Sequence, residues 1–171
     1  MRILLVRHGE AERGHGDERL HDHGLTPKGC EQVKTLGQYL IAHRIKIDSV
    51  LSSPLPRARE TTKILMDTAN LPNPSIEFEL CEIGEMENNA TETLDSFFHR
   101  VHNLMIHLSN SSSSETILAT THAGFIMATI RVLFNISTPG TGARLDPDFA
   151  SITEWDFKHD SWKLVAYNVL P

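Results

Sequence analysis

Residues 3–6 (Ile-Leu-Leu-Val) follow one another without a polar interruption. A run this short and this apolar predicts a strand covered on both faces, as in a parallel sheet. After a polar stretch, Thr26-Pro27 sets a capping residue before a proline at the first helical position, and Val33, Leu36, Tyr39 and Leu40 recur beyond it at helical spacing. The alternation then repeats. Residues 47–51 predict a second strand, closed by Ser52-Ser53-Pro54, and Ser53 is placed to cap a helix over residues 54–69. Leu71-Pro72-Asn73-Pro74 breaks the pattern, and residues 76–80 predict a short strand leading into the acidic stretch 82–87. Residues 91–108 predict a helix with Leu94, Phe97, Phe98, Val101, Leu104, Met105 and Leu108 on one broad face. A polar, low-complexity turn at 110–114 leads to a strand over 116–121, the junction His122-Ala123-Gly124 and a helix over 125–134. Residues 152–157 and 162–167, either side of Lys158-His159-Asp160-Ser161, predict a terminal hairpin. Strands alternating with helices define an α/β fold with a mostly parallel sheet. With no repeat and no boundary in sight, residues 1–171 are expected to form a single domain.

Composition narrows the classes. A hydrophobic fraction of 40% in 171 residues supports one sizeable core. The net charge of -6 argues against nucleic acid or an anionic membrane surface as the main partner, since both reward a basic face. Cys30 and Cys81 are too few for a disulfide framework, which makes a reducing cytoplasm the expected compartment. No apolar leader opens the sequence and no run approaches the ~20 apolar residues of a membrane span, so a soluble protein is expected. The sequons at Asn89, Asn110 and Asn135 read as chance matches on that basis. If the chain self-associates, a C2 homodimer is the generic expectation.

In open α/β sheets, ligands sit outside the carboxyl ends of the strands. Here the first strand ends in Arg7-His8-Gly9, the second in Ser52-Ser53-Pro54 with Arg57 and Arg59 in the following turns, and another in His122-Ala123-Gly124. If these strands are neighbours, two imidazoles and two or three guanidiniums converge. Guanidiniums grip phosphate oxygens as planar forks and never lose their charge, and helix N-termini add backbone donors. An imidazole among them is held in its neutral, nucleophilic form by the surrounding positive charge. One histidine can attack phosphorus while the other steadies the transferring oxygens. Glycines close behind each histidine (Gly9, Gly124) allow the backbone to approach a tetrahedral group. The leaving group also needs a proton, for which Glu82 is the candidate general acid, with Glu85 and Glu87 competing.

These residues carry a family resemblance. "LLVRHGE" resembles the signature of the histidine phosphatase superfamily, which includes the cofactor-dependent phosphoglycerate mutases. "SSPLPRARETT" is similar to its S-x-x-x-R-A-x-x-T helix start, "LTPKG" to its L-T-x-x-G turn, "LCEIGEME" to its L-x-E segment and "TTHAGFI" to its second-histidine motif. The pieces span residues 4–130 in the family's order. The resemblance implies a single-domain three-layer sandwich of the phosphoglycerate mutase-like type. It implies His8 as the phosphorylated nucleophile, Arg7, His8, Arg57 and His122 as the phosphate pocket, and Glu82 as proton donor. Gly9, Glu10, Gly14 and Ala123 are the candidate substrate-contacting positions around them. No metal or organic cofactor is implied.

Ala11 and Gly14 stand where many members carry Ser or Thr and Asn, which weakens secondary phosphate contacts. Only forty residues lead from Glu82 to His122, without the paired-arginine insertion with which the mutases grip substrate. The expectation is therefore a phosphatase with an open pocket, acting on a small phosphorylated molecule or a phosphoprotein, including phosphohistidine. The alternatives are a phosphoglycerate-type mutase and a non-catalytic phosphate- or phosphohistidine-binding module. Arg59 is expected to be a solvated helix charge. His15, His21 and His23 lack the cysteines or second cluster of a metal site and are expected to line the pocket mouth. His99, His102 and His107 read as a solvated helix face, and Phe97, Phe98, Phe125 and Trp155 as core.

Overall fold

The computed structural model describes residues 1–13, 22–86, 91–110, 115–136 and 145–171. In chain order the elements are β1 (Arg2–Arg7), β2 (Ala11–Arg13), β3 (Asp22–Leu25), α1 (Pro27–Ala42), β4 (Ser49–Ser52), α2 (Pro56–Ala69) and β5 (Pro74–Ile76). A 3-10 turn (Phe78–Leu80) follows, then α3 (Leu94–Ser109), β6 (Thr116–Thr121), α4 (Ala123–Leu133), β7 (Ile152–Lys158) and β8 (Ser161–Val169). Six strands form one sheet in the order β5-β4-β6-β1-β7-β8, while β2 and β3 pair as a separate two-stranded ribbon. β5, β4, β6 and β1 are mutually parallel, and β7 and β8 complete the sheet antiparallel.

The uninterrupted apolar run of β1 is explained by its neighbours. Side chains alternate across a strand, and Ile3 and Leu5 join a core formed with Phe97, Val101, Leu104 and Met105 of α3 and Phe125 and Ile126 of α4. Leu4 and Val6 point the other way, into a core with Val33, Leu36 and Leu40 of α1 and Leu65 of α2. Each face of the sheet thus carries a helix pair, the expected three-layer sandwich. Thr26 caps α1 by accepting from the Gly29 amide, with Pro27 at the helix start, and Thr93 and Ser96 close a reciprocal capping box on α3. Caps of this kind contribute about 1 kcal/mol each and fix where a helix begins.

Several boundaries differ from the pattern. α2 starts at Pro56 behind an uncapped Leu55; the Ser53 hydroxyl lies two residues upstream, accepting from the Leu55 amide at 3.4 Å and pairing with His122 Nε2 at 2.9 Å. The strand expected over 76–80 is a three-residue strand followed by the 3-10 turn, where the Glu77 carboxylate accepts from the Glu79 amide and bends the chain locally. Leu94, expected on the buried face of α3, is 60% exposed at its first position. The β2–β3 ribbon was invisible in the pattern, since neither strand has apolar alternation. Phe97, Phe125 and Trp155 lie in the core with Phe98 packed against it, while His99, His102, His107 and Arg59 are exposed. Both cysteines are free. Among the described residues no helix is long and apolar enough to cross a membrane.

Candidate active site

Parallel register brings the three strand ends level. Arg7 of β1 lies opposite Thr121 of β6, Ser52 of β4 lies opposite Thr120, and the amides of His8 and Ser53 extend the ladders by donating to the Thr121 and Thr120 carbonyls. Arg57 enters from the first turn of α2, and His122 is the residue from which α4 departs.

His8 is 5% exposed and doubly held. Its Nδ1 lies 2.7 Å from the Gly9 carbonyl oxygen, and because a carbonyl only accepts, Nδ1 carries the proton. The lone pair is therefore on Nε2, which accepts from Arg57 Nε at 3.2 Å. His122 is fully buried, with its ring centroid 5.2 Å from that of His8. Its Nε2 pairs with Ser53 Oγ at 2.9 Å, while Nδ1 has no partner among the described residues. Burial holds the His122 imidazole well below the ordinary histidine value, and the charges of Arg57, His8, Arg7 and Arg100 push the same way. A buried imidazole nitrogen without a partner among the described residues is a polar atom that a ligand could satisfy.

Arg7 is braced by residues the sequence pattern did not single out. Its guanidinium stacks 3.9 Å over the Phe149 ring and donates to the Pro147 carbonyl, and the same ring lies 5.6 Å from His8. Thr61 was also missed: its hydroxyl accepts from the Gly9 amide and donates to the Arg57 carbonyl, tying β1 to α2. The T of the S-x-x-x-R-A-x-x-T match was the available signal.

The acidic candidates separate. Glu82 lies across the start of α4, its carboxylate accepting from the Gly124 amide at 2.9 Å and from Ile83 at 3.0 Å. Glu85 instead pairs with Arg57 Nη2 at 2.7 Å, at a half-exposed position. Glu87 lies outside the described residues, as do Gly14, His15 and His21. Gly9 and Gly124 serve packing. A Cβ on Gly9 would sit 2.7 Å from the Gly29 carbonyl oxygen of α1, and one on Gly124 would sit 2.0 Å from the Glu82 carboxylate. Glu10 turns to the start of α1, with its carboxylate on Lys28 at 2.7 Å and on Thr26 at 3.0 Å. Ala123 is the first residue of α4, half-buried beside His122. Among the described residues no three His, Cys, Asp or Glu side chains are grouped to hold a metal.

Two guanidiniums and two imidazoles at the carboxyl edge of an α/β sheet, one imidazole with its lone pair presented on Nε2, make a cationic pocket suited to phosphoryl chemistry. The chain belongs to the histidine phosphatase superfamily (branch 1), whose sequence profile matches residues 3–91 and 82–170. It is 36% identical over 73 residues to a broad-specificity phosphatase of Saccharomyces cerevisiae (39% of this chain, 30% of that one). It is 30% identical over 73 residues to the phosphohistidine phosphatase SixA of Escherichia coli (43% and 44%). The chain spans less than half the length of either. Its fold superposes on a mycobacterial glucosyl-3-phosphoglycerate phosphatase with a TM-score of 0.77, covering 98% of both chains at 19% identity.

Proposed function

We propose that this chain is a phosphatase that hydrolyses phosphomonoesters or phosphoprotein groups through a phosphohistidine on His8. The observation that carries this is the tautomer of His8: the Gly9 carbonyl holds the proton on Nδ1 and leaves Nε2 as the nucleophile. In the first step the Nε2 lone pair forms an N–P bond as the P–O ester bond breaks. Arg7 and Arg57 neutralise the equatorial oxygens, with Arg57 exchanging its contact with His8 for the phosphate. With the Ser53 hydroxyl donating a hydrogen bond to His122 Nε2, the single proton of the neutral ring sits on the unmatched Nδ1, which donates to the phosphoryl group. Glu82 gives its proton to the leaving oxygen. In the second step Glu82, now a carboxylate, takes a proton from water, the water oxygen bonds to phosphorus, the N–P bond breaks and inorganic phosphate departs. The names of the related proteins, which cover phosphohistidine and small phosphate esters, support hydrolysis over transfer.

The test is phosphate release from a panel of phosphomonoesters and phosphohistidine peptides, with wild type beside His8→Ala. Wild type is expected to turn over and to carry an acid-labile phosphate after rapid quenching. His8→Ala is expected to do neither. Full activity in His8→Ala would overturn the mechanism, and vanadate stabilisation without any phosphate release would favour a binding module.

A further inference from the structure

The segment that carries Glu82 belongs to no long element, yet it is held by a buried ion pair between Arg100 of α3 and Glu92, which precedes that helix. The Arg100 guanidinium meets both carboxylate oxygens of Glu92, Nε to Oε1 at 2.8 Å and Nη2 to Oε2 at 2.9 Å. The side chains are 8% and 1% exposed. Arg100 Nη1 also donates to the Glu79 and Cys81 carbonyls, and Glu92 Oε2 accepts from the Gly84 amide at 3.0 Å. The guanidinium lies 4.8 Å over the Phe97 ring, which anchors it to the core.

Burying two charges costs several kcal/mol per ion, and apolar replacements of such pairs are often as stable or more so. Stability alone is therefore a weak reason for this pair, and its backbone contacts supply a better one. They fall on the Cys81 carbonyl and the Gly84 amide, the peptide groups that flank Glu82 and Ile83. Gly84 turns there with φ +71°, a conformation other residues adopt only with strain. Beyond this bracket, the Glu82 carboxylate spans to the Gly124 amide, two residues from His122.

We propose that Arg100 and Glu92 are positioning residues that hold the Glu82 carboxyl where it can protonate the leaving oxygen. The proposal rests on the role given above to Glu82. It assigns the pair no contact with substrate and no share in phosphate binding, and this makes it separable by the choice of leaving group. A p-nitrophenolate departs as a stable anion without a proton, whereas an alkoxide such as that of glycerol 2-phosphate does not.

The experiment compares kcat/KM, which reports the steps through phosphorylation of His8, for p-nitrophenyl phosphate and glycerol 2-phosphate in wild type, Arg100→Lys, Glu92→Gln and Glu82→Gln. Lysine cannot reproduce the fork of contacts, and Glu92→Gln keeps the shape while removing the charge. Both are expected to lose on the order of tenfold on the alkyl ester and to stay within about threefold of wild type on the aryl ester. Retained aryl turnover also shows that the fold survives. Glu82→Gln is expected to discriminate in the same direction and more strongly. Equal losses on both substrates in the pair variants, or no loss on either, while Glu82→Gln discriminates, would overturn the positioning role alone. No discrimination in Glu82→Gln would overturn the proton-donor role and the inference with it.

Discussion

The strand-end residues and the segment that carries Glu82 meet at one site but are positioned by different means. Arg7, His8 and His122 stand on the ends of β1 and β6, adjacent parallel strands whose ladder hydrogen bonds set their separation. Glu82 and Glu85 ride on a segment with a single 3-10 turn, located by the buried Arg100–Glu92 pair and by contacts to Gly124 and Arg57. The first arrangement is backbone-determined, so no one side chain outside the pocket is needed to bring the histidines together. The second depends on side chains, so it varies with substitutions far from the reacting atoms. In the mechanism proposed above this divides the labour: the strand ends would form and stabilise the phosphohistidine, and the side-chain-held segment would handle the proton.

Arg57→Ala is expected to have the largest effect. It removes the cation that meets His8 Nε2 and with it the charge expected to grip phosphate, and kcat/KM should fall by about 10²–10³ for aryl and alkyl esters alike. Steady-state kinetics on both substrates check this, and a loss confined to the alkyl ester would place Arg57 with the acid instead. Gly124→Ala sharpens the contrast from the other side. The new Cβ would collide with the Glu82 carboxylate and displace it from the start of α4, so the alkyl ester should suffer about tenfold more than the aryl ester, with vanadate affinity retained. A smaller effect concerns stability. The folded-state pKa of His122 lies below its ordinary 6.5, so below that value the unfolded chain binds more protons than the native one. Stability is then lost as pH falls through about 6.5 and is unaffected by this group above it. Thermal unfolding between about pH 7 and pH 5 should show Tm declining, and His122→Asn should flatten the slope. An unchanged slope would mean that other groups govern the acid limb.

Much of this architecture was legible because short-range physics dictates it. The continuous apolar run of residues 3–6 marks a strand buried on both faces, and Thr26-Pro27 marks a helix start wherever the helix later packs. His8, Arg57 and His122 were findable because motifs place them at strand ends and helix starts, where an α/β sheet gathers its ligands. Tertiary contacts decided the rest. Ser53 was expected to cap α2, but its hydroxyl went to His122, sixty-nine residues away in the chain. Phe149 under Arg7, and Arg100 and Glu92 behind Glu82, carry no local signal, since an aromatic, an arginine and a glutamate are equally at home in solvent or in a core. Of the competing carboxylates, Glu82 and Glu85 are three residues apart in the same acidic stretch, and only the motif match favoured Glu82. The chain separates them only when folded: α4 offers the Gly124 amide to Glu82, and Arg57 takes Glu85. The amino-acid sequence by itself determined most strands and helices, through periodicity and capping, and its motifs singled out the four residues at the strand ends and helix start. Which side chains brace those four, and which acid stands beside them, follows from contacts between distant segments that exist only once the layers have packed.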